Sequence, residues 1–207
     1  FGPGHFEFGN ARDFEGIIMA KPFPTLMLAR PGEVTGPFKE RVSRYLLVAP
    51  GKFGADSLIE DLDGYRVKLS GTLIYRDDQT MIEVIPESIK PTGEGGAHPG
   101  SIDGFGTFTL RGEIVDSKCY LGVMKPGNLK PHRACAVRCI SGGIPPVFLI
   151  RDTEGSAVYL LLTGPDGEAI NEEILDYVAD PLEVTGELEK HGEWYVLKAD
   201  PETFQRL

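Results

Sequence analysis

The feature that most constrains this chain is a repeat of itself. Phe14-Glu15-Gly16-Ile17-Ile18 is answered by Leu110-Arg111-Gly112-Glu113-Ile114, and Tyr45-Leu46-Leu47-Val48 by Tyr159-Leu160-Leu161-Leu162. Val67-x-Leu69-x-Gly71-x-Leu73 matches Leu182-x-Val184-x-Gly186-x-Leu188 at identical spacing, and Met81-Ile82-Glu83-Val84 matches Trp194-Tyr195-Val196-Leu197. The blocks recur in one order, so the 207 residues divide into two similar small domains. The boundaries predicted are 1–90 for a first barrel with an N-terminal arm, 91–106 for a Gly/Pro linker, and 107–207 for a second barrel. His98, in the linker, reads as a solvated side chain.

Within each copy the apolar residues alternate with period two. Strands are expected near 13–20, 24–29, 43–48, 64–75 and 80–85, and again near 107–116, 146–151, 157–162, 181–189 and 193–199. Gly71 and Gly186, in mid-strand, suit a bulge or bend that closes a barrel. One short helix fits between the third and fourth strands of each copy, over 56–62 and, capped by Asn171, over 172–178. The order β-β-β-α-β-β predicts a mainly β protein of two tandem OB-like Greek-key barrels, a two-domain sandwich being the rival.

Copy two departs from copy one between its first two strands, with an insert at 117–145 that carries all three cysteines. Pro131 suits a first helical turn and Gly142 the position after a last one, so a helix is expected over about 131–140. His132, Cys135 and Cys139 then share one face, and Cys119 arrives from a strand end. The spacing C-x12-H-x2-C-x3-C leaves three readings open. Cys119, His132, Cys135 and Cys139 form a metal site, one zinc ion being the expected cofactor; Cys119 forms a disulfide with Cys135 or Cys139; or a thiol made reactive by Arg133, Arg138 and His132 lies here. No catalytic or organic-cofactor motif accompanies them: Gly51-Lys52-Phe53-Gly54 is turn chemistry, without the Lys-Ser/Thr of a phosphate loop.

The stretch Gly112-Glu113-Ile114-Val115-Asp116-Ser117-Lys118-Cys119-Tyr120, with His132-x-x-Cys135-Ala136-x-x-Cys139 and Gly142-Gly143-Ile144-Pro145, resembles a family of poorly characterised exported bacterial proteins sharing G-E-V-V-D-x-x-C-Y…H-x-x-C-A-x-x-C-x-x-G-G-I-P. The resemblance covers the second half only. It implies an extracytoplasmic location, often with an N-terminal anchor upstream of Phe1, and a neighbourhood of respiratory or redox proteins.

Net charge is -10, with 31 acidic and 21 basic residues. Such a balance repels phosphate backbones and gives the expectation of no nucleic-acid partner. The leading expectation is a non-catalytic accessory subunit of a membrane-bound redox assembly, with Phe1, Phe6, Phe8 and Phe14 marking an arm for a protein partner. A metal- or thiol-dependent redox enzyme is the alternative. An OB-type ligand module ranks third, because its second and third strands are aliphatic rather than aromatic and basic.

Overall fold

The computed structural model describes residues 3–30, 41–96, 102–152 and 156–207. Its strands are β1 (His5–Phe6), β2 (Arg12–Met19), β3 (Thr25–Arg30), β4 (Arg41–Ala49), β5 (Phe53–Gly54), β6 (Tyr65–Arg76), β7 (Gln79–Val84), β8 (Lys90–Glu94), β9 (Ile102–Asp116), β10 (Pro146–Arg151), β11 (Ala157–Thr163), β12 (Leu182–His191), β13 (Trp194–Lys198) and β14 (Gln205–Arg206). One α-helix, α1 (Arg133–Ile140), lies in the insert.

The first barrel closes in the order β2-β3-β4-β7-β6-β2, with β4 and β7 parallel and every other pair antiparallel. The second closes as β9-β10-β11-β13-β12-β9, with the equivalent pair β11 and β13 parallel. The fold is therefore two closed five-stranded barrels of one topology, as the repeat requires. Gly71 and Gly186 hold matched places, but for close approach rather than a bulge. A Cβ at Gly71 would stand 2.7 Å from the Glu83 carbonyl oxygen, and one at Gly186 2.4 Å from that of Lys198. Each glycine lets the fourth strand lie tightly against the fifth.

Four expectations change. The linker is shorter than 91–106, because β8 pairs with β6 and the first residues of β9 pair with the end of β12; His98 lies outside the described residues. The helices expected at 56–62 and 172–178 are only 3-10 turns, Asp56–Leu58 and Leu175–Tyr177. Each segment plugs a barrel end with isolated buried residues, Ile59 or Ile174, rather than packing a helical face. Asn171 does not cap its own segment: its Nδ2 donates to the Ile140 and Ile144 carbonyl oxygens at the end of α1. The N-terminal arm lies on its own chain, with β1 on β6 and Gly4 against the Leu121 backbone, while Phe8 is exposed and Phe1 lies outside the described residues.

Alternation along the strands decides how the barrels meet. Leu47 and Ile82 point into the first core, Phe148, Leu160, Leu162 and Leu197 into the second. Their neighbours Leu46, Val48, Met81, Val147, Leu149, Leu161 and Val196 point outward into one shared cluster between the barrels, with Cys119, Tyr120, Leu121 and Cys139. The aliphatic runs of the sequence are apolar on both faces because both faces are buried.

Candidate metal and thiol site

Asp116 to Leu121, the strand end and first turn of the insert, is buried at every residue, although three of the six are polar or charged. Two of them, Asp116 and Lys118, find close partners. Asp116 does so twice: Oδ1 accepts the Cys119 backbone N–H at 2.8 Å, and Oδ2 lies 3.0 Å from His132 Nε2. Lys118 crosses to the first barrel, where its Nζ donates to the Ala49 and Gly51 carbonyl oxygens, both at 2.8 Å, and pairs with Glu83 at 2.6 Å. Tyr120 receives the Arg76 guanidinium over its ring at 4.4 Å, again from the first barrel.

The interlock continues at the far end of α1. Gly54 N–H donates to the Gly142 carbonyl oxygen at 2.8 Å, and a Cβ on Gly142 would stand 1.9 Å from the Lys52 carbonyl oxygen. Gly142 is thus required by barrel contact, not by the helix end. The left-handed residue that stops α1 is Gly143 (φ 93°), with Gly143 N–H donating to the Ile140 oxygen and Ile144 N–H to that of Cys139. The turn 51–54 of the first barrel and 142–143 of the second fit into each other, which sets Lys52 over the cysteines.

Cys119 Sγ lies 4.0 Å from Cys135 Sγ and 3.9 Å from Cys139 Sγ, and the three sulfurs are within 4.8 Å of one another. Zinc–sulfur bonds of about 2.3 Å in tetrahedral array put sulfurs about 3.8 Å apart, whereas a disulfide needs about 2.05 Å. The observed spacing is that of the tetrahedral edge. These three thiols could hold a metal ion. His132 joins a second set, with Asp116 and Cys119, also within 4.8 Å. Of the four ligands expected from sequence, the structure gathers the three sulfurs into one set and brings His132 to Cys119 with its Nε2 on a carboxylate. Metal-binding histidines are commonly held in that way.

The electrostatics are lopsided. Cys119 is held as a thiol: its S–H bond to Cys139, its burial and the Asp116 charge all push its pKa up. Cys139 is shifted down, chiefly because it accepts that bond, with Lys52 adding to the shift. Lys52 Nζ lies 2.7 Å from Cys135 Sγ and 3.8 Å from Cys139 Sγ, and its pKa is raised, first by the bond to Cys135. Lys52 rather than Arg133 is the cation seen at the sulfurs. Arg133 turns away, its Nη1 on Asp180 Oδ1 at 2.8 Å and its Nη2 on the Asp176 carbonyl oxygen. Sequence reasoning missed Lys52, Lys118 and Asp116 as members of the site. The last two were visible as charges flanking Cys119, but Lys52 sits eighty-three residues from Cys135 in an ordinary-looking turn.

No family model matches the chain, and no curated protein matches it. Among solved structures it matches a deletion mutant of the single-stranded DNA binding protein from Thermus aquaticus, at 15% identity and a TM-score of 0.25, over 99% of this chain and 87% of that one. The expectation of no nucleic-acid partner does not stand: net charge sums a whole surface whereas a ligand meets one patch, and the solved structure matched is that of a single-stranded DNA binding protein. A likeness this slight supports no argument about a ligand. Among the described residues no helix is long and apolar enough to cross a membrane.

Proposed function

We propose that the chain is a non-catalytic accessory module in which one zinc ion, held by Cys119, Cys135, Cys139 and His132, fixes the insert of the second barrel against the first. The observation that carries this is the 3.9–4.0 Å spacing of the sulfurs at the barrel junction. With Nε2 on Asp116, the nitrogen left to His132 for a metal is Nδ1. Four protein ligands close a zinc site, which suits a structural ion rather than one that activates water. Three thiolates and a neutral imidazole around Zn²⁺ carry one net negative charge, and Lys52 stands where it would offset that charge. The module's place outside the cytoplasm, against a membrane-bound redox assembly, is part of the proposal and rests on the motif from Gly112 to Pro145.

The test is metal analysis of protein purified under reducing conditions, with a thiol count before and after chelation. One zinc per chain, and thiols that react fully only after chelation, are expected. Three freely reactive thiols with no bound metal would refute the reading. A cobalt-substituted sample should show thiolate charge-transfer bands of a tetrahedral site, lost in Cys119→Ser.

A further inference from the structure

Lys52 and Cys135 come from different barrels, one on the turn between β4 and β5 and the other on α1, and their Nζ and Sγ atoms are 2.7 Å apart. This is a short hydrogen bond from the ammonium to the sulfur, and it holds the nitrogen beside the atom it would join. Of the three thiols Cys135 is the one only partly buried, and Lys52 is exposed, so a small oxidant reaches this pair before the other two sulfurs. Alternative partners for Cys135 are worse placed. Cys119 Sγ is 4.0 Å away. Cys139 lies four residues along the same helix, where Cβ atoms about 5–6 Å apart exceed disulfide geometry.

We infer that Lys52 and Cys135 form an oxidative cross-link, a sulfenamide, that staples the two barrels together when no metal holds the sulfurs. The oxidant is a peroxide. Its O–O bond breaks as one oxygen passes to the Cys135 sulfur, giving a sulfenic acid and a first water. The Lys52 ammonium gives up one proton to solvent, and the lone pair of the resulting amine then attacks that sulfur. The S–N bond forms, the S–O bond breaks, and the hydroxyl leaves with a proton from nitrogen as a second water. In sum the sulfur loses two electrons, the peroxide is reduced to two waters and the protein loses two hydrogens. Sulfenic acids are known to condense in this way with backbone nitrogen; here a side-chain amine is the nearest nucleophile. The inference does not depend on zinc being the resident ion.

The experiment uses the full chain, stripped of metal by a chelator under reductant, freed of both, and treated with one equivalent of hydrogen peroxide. Free thiols are then counted and peptides mapped by mass. The expected result is a fall from three thiols to two, with the Lys52 and Cys135 peptides joined at a mass two hydrogens below their sum, no tryptic cleavage after Lys52, and reversal by a dithiol. Lys52→Arg, an exposed change that keeps the charge, should abolish the joined pair. A fall from three thiols to one, marking a disulfide with Cys119, would overturn the inference, as would a lasting Cys135 oxyacid with Lys52 still cleavable. A chain that binds no metal but gives the joined peptides would sink the zinc reading alone.

Discussion

Lys118 offers the sharpest test of how the barrels are joined. Its side chain is 2% exposed and its ammonium has three partners, all in the first barrel: the Ala49 and Gly51 carbonyl oxygens and the Glu83 carboxylate. Lys118→Met keeps most of the aliphatic stem and removes the charge. Removing one partner of a buried pair costs about 3–5 kcal/mol, because the other charge is left behind. Glu83 retains 17% exposure, so water recovers part of that loss, while the two carbonyls add about 1 kcal/mol or more each. The net is about 3 kcal/mol. With a urea m-value of roughly 2–3 kcal/mol/M for a chain of this size, the midpoint should fall by about 1–1.5 M. The unfolding curve should also separate toward two transitions as the barrels lose their common junction. Adding Glu83→Leu should restore more than half of the loss, since a buried pair replaced by apolar groups is close to neutral. A midpoint that moves by less than about 0.3 M, or two costs that simply add, would refute the claim that this pair joins the barrels.

Three further outcomes follow from the same geometry. Asp116→Asn should weaken zinc binding about 10–100-fold at unchanged stoichiometry, because it loosens His132 without removing a ligand; competition with a chromophoric chelator reads this. Gly142→Ala should lower stability by about 1–3 kcal/mol in thermal unfolding, because the new methyl group meets the Lys52 carbonyl oxygen of the other barrel and neither backbone can yield cheaply. Asp180 is buried, which by itself raises its pKa, but hydrogen bonds from Lys130, Arg206 and Arg133 outweigh that and hold it at about 2. A depressed carboxylate stabilises the fold above its unfolded value near 3.8 and loses that contribution as pH falls toward 2. The gain is at most about 2.5 kcal/mol, less what solvent screens at the exposed Lys130 and Arg206. Acid titration of Asp180→Asn should therefore show a flatter loss between pH 4 and 2 than the parent chain.

How much of this was legible in the sequence depends on the range of the interaction that fixes each feature. Strand positions were readable to within a residue or two for most strands, because alternation such as Val67-Lys68-Leu69 reports locally which face is wet. The start of β9 was missed because residues 102–109 are exposed on both faces, and a strand of that kind has no hydrophobic signature. The helix expected over 131–140 is present, its signals being local; it opens as a 3-10 turn at Lys130–His132. Lys52 was not readable as part of the site, because nothing near it in the chain differs from an ordinary hairpin turn, and its role comes from contact with the other copy.

That contact explains why duplicated barrels need not carry duplicated sites. The two copies meet through the outward faces of equivalent strands, β4 and β7 in one, β11 and β13 in the other. A similar pairing of equal faces alone would leave a purely apolar seam. The insert breaks the equality: it sends Lys118 and Tyr120 to the first barrel and takes Lys52 over its own cysteines in return. Copy one has only Lys21-Pro22-Phe23-Pro24 at the equivalent place, and there Phe23 joins the shared apolar cluster. On the proposed reading one copy supplies the ligating groups, and the other supplies the carbonyl oxygens and carboxylate that hold Lys118 beside Cys119 and the cation that offsets the thiolate charge. If so, the isolated second barrel with its insert intact should bind metal more weakly than the full chain while keeping all four ligands. Equal affinity in the two would show that the first barrel takes no part in the site.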